Sequence, residues 1–227
     1  MRRARVAQLL DLDAELGEGL APEERRIAAQ GLPVQIVVLN EGAWQPNGGD
    51  QEPGHLGYLV VDGLVVRRVE VGKGSSVELL GQGDLLRPWQ EDAFSFCASS
   101  WEVVEPTKLA QLGPQAARNI VRWPPLVANL MARGVRRSRA LAADAAIASI
   151  VGLEDRLLIL LWQLAERWGR TGADGVHLTI RLPHRLLAEL TGARRPSVTT
   201  ALAQLQDEER LASTDNGCWV LLGGPPC

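Results

Sequence analysis

Between Pro183 and Leu211 the chain reads PHRLLAELTGARRPSVTTALAQLQDEERL, and the groups that could do chemistry there are cations and hydroxyls crowded together. Arg194, Arg195, Ser197, Thr199 and Thr200 follow one another around Pro196. A guanidinium can donate two hydrogen bonds to guanine O6 and N7 or hold a phosphate, and hydroxyls can reach either. From Arg181 to Thr200 four arginines, Arg181, Arg185, Arg194 and Arg195, face a single acid, Glu189, so a stretch of local charge +3 sits inside a chain of net charge −3. Such a pattern needs helices to present it. Leu186, Leu187 and Leu190 recur at helical spacing, as do Val198, Leu202 and Leu205, and Gly192 lies where a tight turn between them favours a residue without a Cβ. The expectation is a helix-turn-helix whose second helix, from about Arg195 to Glu208, buries Val198, Leu202 and Leu205. It would turn Arg195, Pro196, Ser197, Thr199, Thr200 and Ala203 outward. Pro196 suits the first helical turn, where a missing N–H costs little.

Other chemistries find less support. His55, His177 and His184 are scattered, so a cupin-like metal site lacks converging ligands, and no nucleophile elbow or phosphate-binding glycine motif is present. No catalytic residue, metal or cofactor is therefore expected. Cys97, Cys218 and Cys227 have neither disulfide-framework nor zinc-ligand spacing and read as free thiols. No apolar run reaches the roughly 18 residues of a membrane span, and the first one, Val6 to Leu10, is too short for a signal peptide. A cytoplasmic protein is expected.

Read in order, residues 1–30 look helical, with an apolar stripe of Val6, Leu9, Leu10, Leu12 and Leu16 and a second piece beginning at Pro22. Arg2, Arg3 and Arg5 read as exposed terminal charge, with a basic arm on DNA as the other reading. From Val34 the period shortens to that of strands: Val34–Leu39, Tyr58–Val61, Leu64–Val71, Val77–Leu80, Trp101–Val104 and Lys108–Leu112, punctuated by glycines. Asp62-Gly63 between two valine-rich runs predicts a two-residue hairpin. A short helix, Pro114–Trp123, closes this β domain. Leu126–Val151, with a single glycine, predicts a helix of roughly seven turns. Its stripe of Leu130, Val135, Leu141, Ala145 and Ala148 is expected to pair with a second copy of the chain, packing within the chain being the alternative. Arg133, Arg136, Arg137 and Arg139 read as its solvated flank. Beyond Gly152, Leu153–Trp168 is amphipathic, 169–175 a loop and Val176–Ile180 a strand. Leu211–Ser213 and Cys218–Leu222 flank the hairpin signal Asp215-Asn216-Gly217, a wing that would place Asn216 beside the recognition helix as a further DNA contact. Glu209 stands where glycine or asparagine would relax a left-handed turn.

Leu187-Ala188, Leu190, Gly192, Arg195, Val198, Leu202 and Leu205 are similar to the pattern LAxLxGxxRxxVxxxLxxL of the CRP/FNR family of bacterial transcription regulators, and Gly81-Gln82-Gly83-Asp84 resembles that family's GxGD turn. The resemblance covers nearly the whole chain. It implies an α+β architecture: a β-roll (cupin-like, cyclic-nucleotide-binding-like) over 1–123, a dimerisation helix over 124–151 and a winged helix-turn-helix over 152–227. It also implies a homodimer on double-stranded DNA, Arg195 reading bases and Arg194 holding phosphate, with RNA polymerase as a further partner of such a regulator.

Three departures qualify the inheritance. Where cyclic-nucleotide-binding members carry Gly-Glu-Leu, this chain has Arg87, Pro88 and Trp89, and where they carry Arg-Ser or Arg-Thr it has AFSFCASSW. An anionic phosphate needs a cation or a ring of backbone donors, so cyclic AMP binding is not expected unless Arg87 serves a rearranged anion site. The cysteine cluster of the iron–sulfur branch is absent, as is a haem ligand pair. Pro196 and Thr200 replace a base-reading Glu and an Arg, so the operator is not inherited. Trp89, Phe94, Phe96 and Trp101 fall where the family binds its ligand. They read as core, as an apolar pocket for an unidentified small-molecule effector, or as a pocket collapsed on its own side chains. A winged helix serving as a protein-binding module is the reading from another functional class.

Overall fold

A computed structural model of the chain describes residues 5–46, 53–89, 96–214 and 216–226. Two compact units emerge, Met1–Gly74 with Glu78–Arg139, and Ser75–Val77 with Ala140–Cys227.

The first unit is built on an antiparallel sheet. Its strands are β1 (Arg5–Gln8), β2 (Pro33–Leu39), β3 (Gly42–Trp44), β4 (Gly57–Val71), β5 (Gly74–Leu80), β6 (Leu85–Leu86) and β7 (Cys97–Leu112). The order is β1-β2-β7-β4-β5, with β3 on β7 and β6 on β4. The reading of residues 1–30 as helix is corrected at its start, because Arg5–Gln8 pairs with Pro33–Ile36 of β2. Helix α1 (Leu9–Leu12) is a single turn, a 3₁₀ turn follows at Ala14–Gly17, and α2 (Pro22–Gly31) begins at the proline, as expected. The apolar stripe misled there because Leu9, Leu10 and Leu16 are buried, but through three short elements rather than one helix.

The Asp62-Gly63 hairpin is likewise corrected. Both valine-rich runs belong to one strand, β4, which pairs along almost all of β7, with register shifts around Asp62, Leu64 and Val65. Gly63 has φ 96°, and a Cβ there would lie 2.5 Å from the Pro106 carbonyl oxygen and 2.6 Å from the Thr107 Cα. Pro106 has no N–H to give the ladder, so the pairing must break opposite it. The glycine's positive φ accordingly forms a bulge rather than a turn. The tight connection lies nine residues on, where β4 gives way to β5 across Gly72 (φ 60°) and Lys73.

Among the described residues, two apolar clusters lie in this unit. Leu9, Leu16, Leu32, Leu59, Leu112, Ile120 and Leu126 form one, closing the sheet against α3 (Pro114–Ile120) and the start of α4 (Pro124–Ala148). Tyr58, Val60, Val65, Leu80, Leu86, Val103 and Leu109 form the other, edged by Trp44, Trp89 and Trp101. Each fully buried leucine is worth roughly 1.5–3 kcal/mol of transfer free energy, which makes these clusters the main support of the sheet.

The second unit holds α5 (Leu153–Trp168), β8 (Gly169–Thr171), β9 (Val176–Leu178), α6 (His184–Thr191), α7 (Arg195–Asp207), β10 (Leu211–Ser213) and β11 (Trp219–Leu221). Its sheet runs β10-β11-β9-β8, so the segment read as a loop from Gly169 contributes an edge strand. The face of α5 carrying Leu157, Leu160, Leu161 and Leu164 is buried, as its periodicity predicts.

Candidate nucleic-acid interface

Helix α6 ends because Gly192 takes a left-handed conformation (φ 63°), and the Ala193 N–H returns to the Ala188 carbonyl at 2.9 Å. That closure satisfies carbonyls left over at the helix end and turns the chain sharply into α7. Thr191, almost wholly buried, donates its hydroxyl to the Leu187 carbonyl at 2.7 Å. On α7, Val198, Ala201, Leu202 and Leu205 are buried. Arg195, Pro196, Ser197, Thr199, Thr200 and Ala203 are exposed, along with Arg194 just before the helix. Among the described residues no hydrogen bond or ion pair engages the guanidinium of Arg194 or Arg195. Arg185, by contrast, is paired with Glu189 at 3.1 Å. Two arginines at the start of an exposed helix are thus free to meet an anion, and the helix N-terminus adds its own partial positive charge.

Glu209, the position flagged in the sequence, has φ 53°, and the Arg210 N–H returns to the Leu205 carbonyl at 2.9 Å. The recognition helix therefore closes with the same geometry as α6, without a glycine. The wing follows, Leu211–Ser213 pairing with Trp219–Leu221. Gly217 (φ 74°) shapes its tip and Asn216 is exposed there, whereas Asp215 lies outside the described residues. The Trp219 indole N–H donates to the Leu182 carbonyl at 3.3 Å, and its ring stacks on that of His184 at 5.9 Å. His184 in turn lies 2.9 Å from the Thr199 hydroxyl, so one side chain joins wing, first helix and recognition helix. Composition offered no signal for this role beyond the residue's place at the start of a predicted helix. Arg156 also went unread: it donates to the Ile150 carbonyl (2.7 Å) and to the Thr191 carbonyl (2.7 Å), joining the α4–α5 link to the end of α6.

The proposed effector residues are only partly brought together. Trp89 sits against His55 (4.7 Å between ring centroids) and Tyr58 (5.6 Å), and Tyr58 continues through Trp44 (6.0 Å) to Trp101 (5.8 Å). This edge-to-face run lies against the second apolar cluster with its three tryptophans only partly buried, and it includes His55, Tyr58 and Trp44, which spacing alone did not single out. The buried His55 accepts the Gly57 N–H at Nδ1 (3.1 Å). Phe96 is 67 % exposed, Arg87 is exposed, and Phe94 lies outside the described residues. The GxGD turn is held by its own aspartate: Asp84 accepts the Gly81 N–H at 2.9 Å, and Gly83 carries φ 87°.

The arginines of α4 require a correction. Arg136 and Arg139 are exposed, but Arg133 forms a two-bond pair with Asp13 and Arg137 a two-bond pair with Glu78, both acids being buried. Arg137 also donates to the Leu85 carbonyl at 3.0 Å. The Asp13 hydrogen bonds raise the Arg133 pKa above its usual value; at Arg137 burial works to lower it and the Glu78 pair outweighs burial. Leu130 is also reassigned, because it packs against the first unit's core instead of facing outward. Val135, Leu141, Ala145 and Ala148 are exposed. Among the described residues no His, Cys, Asp and Glu cluster could hold a metal ion, and no helix is long and apolar enough to cross a membrane.

Residues 155–222 match the Crp-like helix-turn-helix domain. Over 198 residues the chain is 27% identical to a global nitrogen regulator of Synechococcus elongatus, covering 83% of this chain and 86% of the relative. Over 158 residues it is 26% identical to a CRP-like cAMP-activated global transcriptional regulator of Mycobacterium tuberculosis, covering 67% of this chain and 69% of the relative. In fold it is similar to a cyclic nucleotide-binding domain containing protein from Listeria monocytogenes, with TM-score 0.67 at 16% identity over 92% of this chain and 96% of the other. It is also similar to a CooA mutant from Carboxydothermus hydrogenoformans, with TM-score 0.62 at 17% identity over 83% of each.

Proposed function

We propose, on the premise that the chain belongs to the CRP/FNR family of transcription regulators, that it binds specific DNA sites as a cytoplasmic homodimer and has no catalytic activity. The observation that carries this reading is the exposed start of α7, where Arg194 and Arg195 are unengaged while the helix's apolar face is fully buried. Arg195 reads a base edge, Arg194 holds backbone phosphate, and Ser197, Thr199, Thr200 and the wing's Asn216 complete the contacts, with Pro196 opening the helix. Substituting each arginine by alanine tests the division. Arg195→Ala is expected to lose discrimination between selected and random duplexes, about 1–3 kcal/mol for a bidentate base contact. Arg194→Ala is expected to weaken both duplexes alike and to lower the salt slope by about one. Equal discrimination by Arg195→Ala and the parent overturns the assignment.

The dimer seam lies on α4. Met131, Val135, Ser138, Ala142 and Ala145 are all exposed and follow one another at alternating intervals of four and three residues, the spacing of a coiled-coil seam. The small side chains of Ser138, Ala142 and Ala145 would let two copies of the helix approach closely. RNA polymerase is the further partner of such an assembly.

The β-roll, on this reading, has lost cyclic-nucleotide binding. Arg87 is exposed, and Arg137, which reaches the strand after the GxGD turn, is already matched by Glu78. Cyclic AMP is therefore expected to leave DNA affinity unchanged; a cyclic-AMP-dependent shift would overturn this part of the proposal. A small-molecule effector of another class is the second reading, supported by the run of aromatic rings from Trp89 to Trp101.

A further inference from the structure

His184 carries a consequence that depends on the DNA-binding reading. The Thr199 hydroxyl lies 3.1 Å from the Arg195 carbonyl, one turn back along α7, and 2.9 Å from the His184 Nδ1. A hydroxyl has one proton. Thr199 spends its proton on the Arg195 carbonyl, the back-bond one turn along a helix that threonine commonly makes, which leaves its lone pairs for an Nδ1–H donor in the second bond. The neutral ring is then the Nδ1–H tautomer, with a bare lone pair at Nε2 and no partner for Nε2 among the described residues. Stacking on Trp219 and anchorage to an exposed residue of the recognition helix keep the ring beside the face that bears Arg194 and Arg195.

A phosphate oxygen offers lone pairs and no proton, so the neutral ring has nothing to give it, whereas the imidazolium can donate from Nε2. We infer that DNA binding by this protein is proton-linked: His184 takes up a proton at Nε2 when it meets the DNA backbone. Charged groups stand on most of the elements packed around the ring. Helix α6 brings Arg185, which Glu189 pairs; α7 brings Arg195, with Arg194 ahead of it; the approach to α6 brings Arg181; and β11, which supplies Trp219, has no ionisable side chain. A phosphate brought beside the ring favours its ionised form, since a nearby opposite charge does so.

The test measures affinity of the full chain for a random-sequence 30-base-pair duplex, at fixed ionic strength, across the range of roughly pH 5.5 to 8.5 in which histidine changes charge. The parent is expected to bind about tenfold more tightly at the acid end, the scale of one charge-assisted hydrogen bond. His184→Gln, whose amide can still donate to Thr199, is expected to be flat across the range. His184→Arg is expected to bind tightly and with equal flatness. His177→Gln should retain the parent's profile. A parent profile that is flat, one that strengthens toward high pH, or one that survives in His184→Gln overturns the inference while leaving DNA binding intact. A parent that binds no duplex at any pH overturns the DNA-binding reading itself.

Discussion

Replacing Asp13 by asparagine isolates the charge that fastens α4 to the first unit. Asp13 is 6 % and Arg133 9 % exposed, and the two share a pair of hydrogen bonds, one of 2.8 Å from Nη2 to Oδ1. The same Oδ1 accepts the Leu16 N–H at 3.2 Å, capping the 3₁₀ turn. Asparagine keeps an oxygen for that cap and removes the charge, so the cost reports the ion pair and not the turn. Removing one partner of a buried pair costs about 3–5 kcal/mol, because the other charge is left without compensation. Glu15 at 3.8 Å and the Gly83 carbonyl at 3.4 Å remain near the guanidinium, which places Asp13→Asn at the lower end, about 3 kcal/mol. Arg133→Met strands the carboxylate and should cost a similar amount. The pair Asp13→Leu with Arg133→Met buries no charge and should lose little beyond the cap, about 1 kcal/mol. Denaturant unfolding at fixed protomer concentration reads all of these, provided the slope with denaturant is unchanged. The reasoning fails if Asp13→Asn costs less than about 1 kcal/mol, or if the double substitution costs the sum of two singles.

Three further outcomes are expected. Gly63→Ala should destabilise by about 3 kcal/mol or more, since its φ of 96° and 2.5 Å approach to the Pro106 carbonyl leave no room for a Cβ, whereas Gly72→Ala, also at positive φ but in open space, should cost only about 1 kcal/mol; unfolding curves compare them. Glu209→Gly should stabilise the second unit by about 1 kcal/mol by relieving a left-handed non-glycine residue, raising the midpoint of thermal unfolding without changing DNA affinity. Val135→Asp, on the exposed face of α4, should shift the chain toward monomer in sedimentation and weaken DNA binding with it, while an unchanged mass would remove the seam from that face.

Local pattern was enough to read the helices and the wing of the second unit, though not its edge strand Gly169–Thr171. Its helices bury one stripe each, and the turn at Gly192 uses backbone signals that act over a few residues. The first unit defeated local reading wherever a distant partner decided the outcome. Arg133 and Arg137 stand one helical turn apart, which looks like an exposed charged edge. Their carboxylates lie 120 and 59 residues away in sequence, and no periodicity marks such a pairing. The Asp62-Gly63 signal shows the same dependence on a remote residue. Asp-Gly reports that the backbone can adopt a positive φ, and a hairpin turn and a bulge both use that freedom. Pro106, 43 residues on, lacks the N–H that an unbroken ladder would need. Once β7 runs unbroken past both halves of β4, the glycine can only bulge. A sequence reading that paired each such glycine with the prolines able to lie opposite it would have favoured the long ribbon over the hairpin.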